Sequence, residues 1–322
     1  MRIHIATVGD EAWHRASREL FVGLGTQDEV AVHRLERDPA RADALLFVDL
    51  HQHPDDPVLA QLRHHELVRK YRGKVYVYDE RDQPFFTFSG VYASGTPRIS
   101  RRFPIVGGPY PHLLTPLTPR HHEPDLLFSF RGDGSNSRVR SAVMELSHPR
   151  AVLEDTREVN FFDGSPERFG EANLAAQLAY AELVTRSKFI LCPRGSGVSS
   201  FRLYETLCAG RVPVVISNDW LPPPRVDWDA CTVRIREDAV DTIPVVLENL
   251  EPRWPALVEA GQAATAAHFS PSRLWNHYAT SLADLQQHSR RHVPWWAQPE
   301  LLALRARRLK SAAQARLGTW PP

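Results

Sequence analysis

The stretch Ser187-Lys-Phe-Ile-Leu-Cys-Pro-Arg-Gly-Ser-Gly-Val-Ser-Ser-Phe-Arg-Leu-Tyr-Glu-Thr-Leu-Cys-Ala-Gly210, continuing into Arg211-Val-Pro-Val-Val215, decides the fold. Lys188–Cys192 is a short apolar run of strand type. Two glycines and three serines then break the pattern, and Ser200–Ala209 has helical spacing. Val212–Ile216 is a second apolar run, so the segment reads strand, loop, helix, strand: a piece of a doubly wound α/β sheet. On the helix, Phe201, Tyr204, Leu207 and Cys208 share one face and are expected to pack on the core. Arg202, Glu205 and Ala209 share another. The first turn of a helix presents unpaired N–H groups and a partial positive charge, which together cradle a phosphate. Gly195 and Gly197 let the backbone approach such a ligand, and Arg194 and Arg202 add charge-assisted contacts. The loop has neither the Lys-Ser/Thr ending of a P-loop nor the GxGxxG of a dinucleotide turn.

Outward from this motif, the chain alternates strands and helices. Arg2–Thr7, Glu29–Leu35, Ala44–Leu50 and Lys74–Tyr78 read as strands, with helical patterns at Glu11–Val22 and Val58–Lys70. Gln83–Pro124, rich in Pro, Gly and Ser/Thr around Phe85-Phe-Thr-Phe88, reads as an irregular wall of a cleft. A second series opens at Asp125–Phe130. It continues through a helix near Ser137–Leu146, the central motif, a strand at Cys231–Ile235 and a helix near Thr242–Leu250. The expected division is 1–124, an acceptor-side domain; 125–285, a donor-binding domain; and 286–322, a helical tail that returns to the first domain.

Composition sets few further limits. With 322 residues, 43% hydrophobic and 24% charged, the chain is globular and long enough for two domains. A formal charge of +1 gives no general attraction to nucleic acid. Cys192, Cys208 and Cys231 are too scattered for a disulfide framework or a zinc site. The opening Met1–Asp10 reads as a strand, and no apolar run reaches the roughly 18 residues of a membrane span, so a cytoplasmic setting is expected. Leu301–Pro322 carries Arg305, Arg307, Arg308, Lys310 and Arg316 without an acidic residue; its basic face is either solvated or a contact to a membrane surface.

Arg186–Gly195, joined to Ser199–Val215, resembles the exostosin family of glycosyltransferases. Phe128-Ser-Phe-Arg-Gly132 is similar to the family's upstream strand and loop, and Ser217-Asn-Asp-Trp-Leu-Pro-Pro223 with Val226-Asp-Trp-Asp229 to its downstream segment. The similarity extends over about residues 125–250. It implies a GT-B architecture, two Rossmann-like α/β domains facing across a cleft. It also implies inverting transfer of a sugar from a nucleotide sugar, commonly a UDP-sugar, to a saccharide or small-molecule acceptor, with no tightly bound cofactor or metal. Glu205 then corresponds to the carboxylate that holds the ribose. Arg131, Arg194 and Arg202 become candidates for the diphosphate, with Ser187, Ser199, Ser200 and Gly195 beside them. Arg138 and Arg140 follow on the next helix, where only one can face the cleft; Arg138 is included in the donor set.

An inverting transfer needs a base on the acceptor side. Asp49, His51 and His53 follow one predicted strand, and Asp79, Glu80 and Asp82 another. Asp79 and Glu80 are the preferred pair, although spacing alone does not choose among the six. His51-Gln-His53 lacks a third ligand at metal-binding spacing. Trp295-Trp296 and the Phe85–Phe88 cluster are candidate sugar platforms, or packing residues. The competing reading is a non-catalytic module that keeps the phosphate pocket to bind an anionic glycan or a partner.

Overall fold

The computed structural model describes residues 1–50, 57–84, 86–111, 123–157 and 171–288. His51, His53, Phe85, Trp295, Trp296 and the basic tail lie outside these residues. The first sheet comprises β1 (Arg2–Ala6), β2 (Arg34–Leu35), β3 (Ala44–Leu50), β4 (Val75–Asp79), β5 (Gly90–Tyr92) and β6 (Ile105–Gly107). All pairings are parallel, in the order β2-β1-β3-β4-β5-β6. Helices α1 (Ala12–Thr26), α2 (Pro57–His64), α3 (Glu66–Lys70) and α4 (Pro97–Ser100) connect these strands. The second sheet comprises β7 (Leu126–Gly132), β8 (Ala151–Asp155), β9 (Ser187–Pro193), β10 (Val212–Ile216) and β11 (Val233–Ile235), again parallel, in the order β11-β10-β9-β7-β8. Its helices are α5 (Arg138–Met144), α6 (Glu171–Arg186), α7 (Phe201–Cys208), α8 (Trp228–Cys231), α9 (Ile243–Leu250), α10 (Trp254–Ala264) and α11 (Pro271–His288).

Strands covered on both faces read as near-continuous apolar runs; Ala44–Leu50, apolar but for Asp49, is buried at all seven positions. In the second sheet the alternation is still visible underneath. Phe128, Phe130, Phe189, Leu191, Val212, Val214 and Ile216 pack towards α5 and α9, whereas Ile190, Cys192 and Val215 face the opposite layer with Tyr180, Leu203 and Tyr204. That opposite layer is not confined to one sheet. It continues without a break through Tyr78, Val91, Tyr110, Trp275, Tyr278 and Leu282 to Phe21, Val48 and Ile3. Helix α11 packs on α1, β5 and β6, so the chain returns to the first sheet inside the segment expected to belong to the second domain.

The two sheets meet at their carboxyl ends, as the GT-B architecture requires. Gly197, in the loop after β9, sits where an added Cβ would lie 2.6 Å from both Asp82 Oδ1 and Ser94 Oγ of the first half. Tyr110 stacks on Phe201 with ring centroids 3.7 Å apart, and Leu221 N donates to Gly95 O. The Tyr78 and Tyr278 hydroxyls both donate to Pro109 O, at 3.2 and 2.8 Å.

Three sequence expectations are corrected. Gln83–Pro124 is not wholly irregular, because β5, α4 and β6 lie within it; strands of three residues carry too little periodicity to be read. The strand expected at Glu29–Leu35 shortens to Arg34–Leu35, after Ala31 turns the backbone at φ 54°. The single helix expected at Val58–Lys70 is two, α2 and α3, with His65 capping the second through Nδ1.

His277 gives this packing a pH dependence. It is 2% exposed, and neither ring nitrogen has a hydrogen-bond partner. Burial, then the charge of Arg225, pushes its pKa down from 6.5 to about 3. The folded chain therefore keeps His277 neutral where the unfolded chain protonates it, so stability falls as pH drops from about 6.5 towards 3. At pH 5 the loss is about 2 kcal/mol. Urea denaturation of His277→Phe at pH 7.5 and pH 5 is expected to show a correspondingly smaller drop than the wild type; an equal drop would assign the acid sensitivity elsewhere.

Candidate active site

In a doubly wound sheet, ligands bind beyond the carboxyl ends of the strands where the strand order reverses. In the second sheet that point lies between β7 and β9, whose neighbours run to opposite sides. The loops leaving these two strands are tied together. Ser137, the cap of α5, accepts from Arg140 N and donates through Oγ to Arg194 O at 2.8 Å. Gly195 packs so closely that an added Cβ would lie 2.8 Å from Asn136 Oδ1 and 3.0 Å from Arg140 Nη2. The absence of a side chain on Gly195 thus lets the Asn136 and Arg140 side chains lie close against the loop.

Two guanidinium groups converge here on the Phe130 ring. Arg202 lies 4.8 Å above its centroid and Arg140 lies 5.9 Å from it. Arg202 Nη2 donates to Arg131 O at 2.6 Å, and Gly132 leaves room for that group. The Nε of both Arg202 and Arg140 is buried with no hydrogen-bond partner. Nearby ion pairs join Arg131 to Glu154 and Arg157 to Asp155, but among the described residues Arg140 and Arg202 have none. Burial, then the like charge of Arg202, pushes the Arg140 pKa down to about 10. Asp133 and Asp82 offset part of that shift, but neither guanidinium closes an ion pair among the described residues, and two half-buried cations beside the first turn of α7 are placed to receive an anion.

The remaining donor candidates divide around this centre. Ser199 and Ser200 lie at the start of α7; the Ser199 hydroxyl is buried beside the Tyr110 phenol, and the Ser200 side chain makes no cap bond. The Arg194 guanidinium curls back onto the carbonyls of Gly195 and Ser196. Glu205 lies one turn beyond Arg202, 4% exposed, and its Oε2 accepts from Tyr180 at 2.9 Å. Burial, then the charge of Glu205, raises the Tyr180 pKa, so this phenol stays a donor. Burial likewise raises the Cys192 thiol to about 12 and Cys208 to about 11, which leaves both as inert core groups.

Four expectations for individual residues change. Arg138 is exposed, and Arg140 is the arginine of α5 that faces the site, because Val139 and Val143 set which side of the helix is buried. The Arg131 side chain is turned to Glu154 on the neighbouring strand, leaving its carbonyl as its contribution to the site. Ser187 opens β9, at the opposite end of the strand from the loop, and is fully buried against Ser129 Oγ and Leu183 O. Asp79 is 1% exposed, and its carboxylate is gripped by Nε and Nη2 of Arg81 as a counter-ion. Glu80 is 9% exposed and lies among the buried tyrosines, where its charge adds to the effect of burial in raising Tyr78 and Tyr278. No group of three metal-binding side chains occurs among the described residues.

Two doubly wound parallel sheets meeting at their carboxyl edges define a GT-B architecture. The Exostosin GT47 domain model matches residues 86–250, just over half of the chain, and the chain belongs to that family. It is 34% identical over 180 residues to exostosin-1 of Drosophila melanogaster, covering 48% of this chain and 21% of that protein. To an exostosin-1 homolog of Caenorhabditis elegans it is 41% identical over 76 residues, 23% of this chain and 20% of that one. The chain thus spans about a fifth of the length of these relatives. Among solved structures, a sucrose-phosphate synthase from Thermosynechococcus elongatus is similar with a TM-score of 0.43 and 11% identity, over 89% of this chain and 98% of that one.

Proposed function

We propose that this chain is an inverting glycosyltransferase that moves a sugar from a nucleotide sugar, taken to be a UDP-sugar, to a saccharide or small-molecule acceptor. One observation carries the reading: Arg140 of α5 and Arg202 at the start of α7, neither in an ion pair among the described residues, converge on Phe130 at the switch point of the second sheet. When a nucleoside diphosphate departs, negative charge grows on its β-phosphate. Preorganised guanidinium and N–H donors stabilise that charge without a metal. Glu205 lies one turn further along α7, hydrogen-bonded by Tyr180 of α6, and is assigned to the ribose hydroxyls.

Calorimetry with UDP and the other common nucleoside diphosphates tests the reading. Binding of one of them is expected, with Glu205→Ala weakening it about tenfold, the worth of one hydrogen bond to a charged group. Tyr180→Phe, which removes only the partner that orients the carboxylate, is expected to cost less. Absence of binding by every nucleoside diphosphate at millimolar concentration would sink the proposal.

A further inference from the structure

The first sheet has its own switch point, between β1 and β3, and a buried pair occupies it. Asp49, near the end of β3, is fully buried; His14, on the first turn of α1 after β1, is 3% exposed. Asp49 Oδ2 accepts from Val8 N at 2.6 Å and lies 2.6 Å from His14 Nδ1. An ionised carboxylate only accepts, so the network assigns the imidazole proton to Nδ1 and the lone pair to Nε2. The Trp13 indole stacks on the imidazole at 3.5 Å and fixes its plane. At the other nitrogen, a Cβ on Gly9 would sit 2.7 Å from Nε2, so glycine keeps that position clear of a side chain.

The location suits the missing half of the reaction. Leu50, next to Asp49, pairs in register with Asp79 on β4, and Asp82 and Ser94, beyond β4 and β5, touch Gly197 of the donor loop. The His14–Asp49 pair therefore lies one to two strand spacings, roughly 5–10 Å, along the edge that the donor loop meets. Asp49 is also electrostatically incomplete: its Oδ1 has no hydrogen-bond partner, and among the described residues no arginine or lysine pairs with it. A proton arriving on His14 would supply the missing charge.

We infer that His14, oriented by Asp49, is the base that takes the proton of the acceptor hydroxyl, an inference that rests on the glycosyl-transfer reading above. The acceptor O–H bond breaks and its proton passes to Nε2. The oxygen forms its new bond to the anomeric carbon. The bond from that carbon to the β-phosphate oxygen breaks, its electron pair leaving on the nucleoside diphosphate beside Arg140 and Arg202. Asp49 balances the imidazolium until it returns the proton to water.

The test compares wild type, His14→Gln and Asp49→Asn for release of nucleoside diphosphate from a panel of UDP-sugars, with water as acceptor, alongside nucleoside diphosphate affinity and thermal midpoint. Glutamine cannot take up a proton, so His14→Gln is expected to lose about 10²–10⁴-fold in kcat while its nucleotide affinity stays within about twofold. Asp49→Asn can keep the Val8 N–H bond but favours the wrong imidazole tautomer; a loss of about a hundredfold or more in kcat with an unchanged donor KM is expected. If the glutamine variant fails to fold, the asparagine variant decides. A folded variant that binds nucleotide and turns over within about threefold of wild type overturns the role of His14 and leaves the donor site standing. A wild type that binds no nucleoside diphosphate removes the reading itself and this inference with it.

Discussion

Replacing Arg202 with methionine is expected to lower nucleotide-sugar turnover by about 10²–10³-fold, the usual cost of losing one preorganised donor to developing charge. The guanidinium is held over Phe130 and hydrogen-bonded to Arg131 O, so it occupies its place before any ligand arrives. Methionine retains much of the apolar stem but none of the charge. The same change removes one of two half-buried cations that repel each other. The ligand-free variant is therefore expected to melt at about the wild-type temperature, since lost repulsion offsets the lost hydrogen bond. The rise in melting temperature that a nucleoside diphosphate gives the wild type should largely disappear. Turnover within about threefold of wild type, or a full ligand-induced shift, would remove Arg202 from the site.

The second large effect concerns stability. A Cβ on Gly107 would lie 2.0 Å from Leu221 O, 2.8 Å from Leu221 C and 2.9 Å from Pro222 C. All three are backbone atoms of the second half, so no rotamer change relieves the overlap. Gly107→Ala must push β6 away from the 221–222 segment, at a cost of about 3 kcal/mol or more. For a chain of this size the melting temperature should fall by about 4–5 °C. Because the strain falls where the halves meet, turnover at room temperature should drop as well, even where the variant is fully folded. Gly23, in α1, has nothing within 4 Å of the position a methyl group would take, and Gly23→Ala is expected to stabilise by about 1 kcal/mol. Equal melting temperatures for the two variants would mean that the junction yields freely.

The parts of this molecule that can be read in advance are those where one residue pattern has one physical solution. The run Ala44–Leu50, apolar but for Asp49, reads as a strand covered on both faces, and Ser187–Gly210 reads as strand, loop and helix from its glycines and serines. The site itself is less legible. Arg138 and Arg140 flank Val139 on either side, and only the packing of Val139 and Val143 against the sheet decides which arginine turns inward. Ser187 belongs to the motif in sequence but lies a strand's length from its loop, a separation that similarity along the chain does not register. Asp79 carries a residue type and position fit for a base, yet Arg81 two residues later claims it. His14 merges into an amphipathic helix pattern and draws no notice there. The signal that could have found it is Gly9 just after β1, together with a carboxylate, Asp49, inside an otherwise apolar strand.

The continuous core has a consequence for how such a protein can be cut. The stretch held in common with its family begins at Phe86, after four of the six strands of the first sheet, and stops at Leu250, before α10 and α11. Ile3, Phe21, Val48, Tyr78, Trp275, Tyr278 and Leu282 all pack in the same cluster as Tyr204 and Trp220, yet lie outside that stretch. The unit of inheritance and the unit of folding are therefore different lengths of chain. A gene fragment trimmed to the shared segment would encode only two of the six strands of the first sheet and a bared tyrosine cluster, so a workable fusion or truncation has to keep β1–β4 and α11 as well.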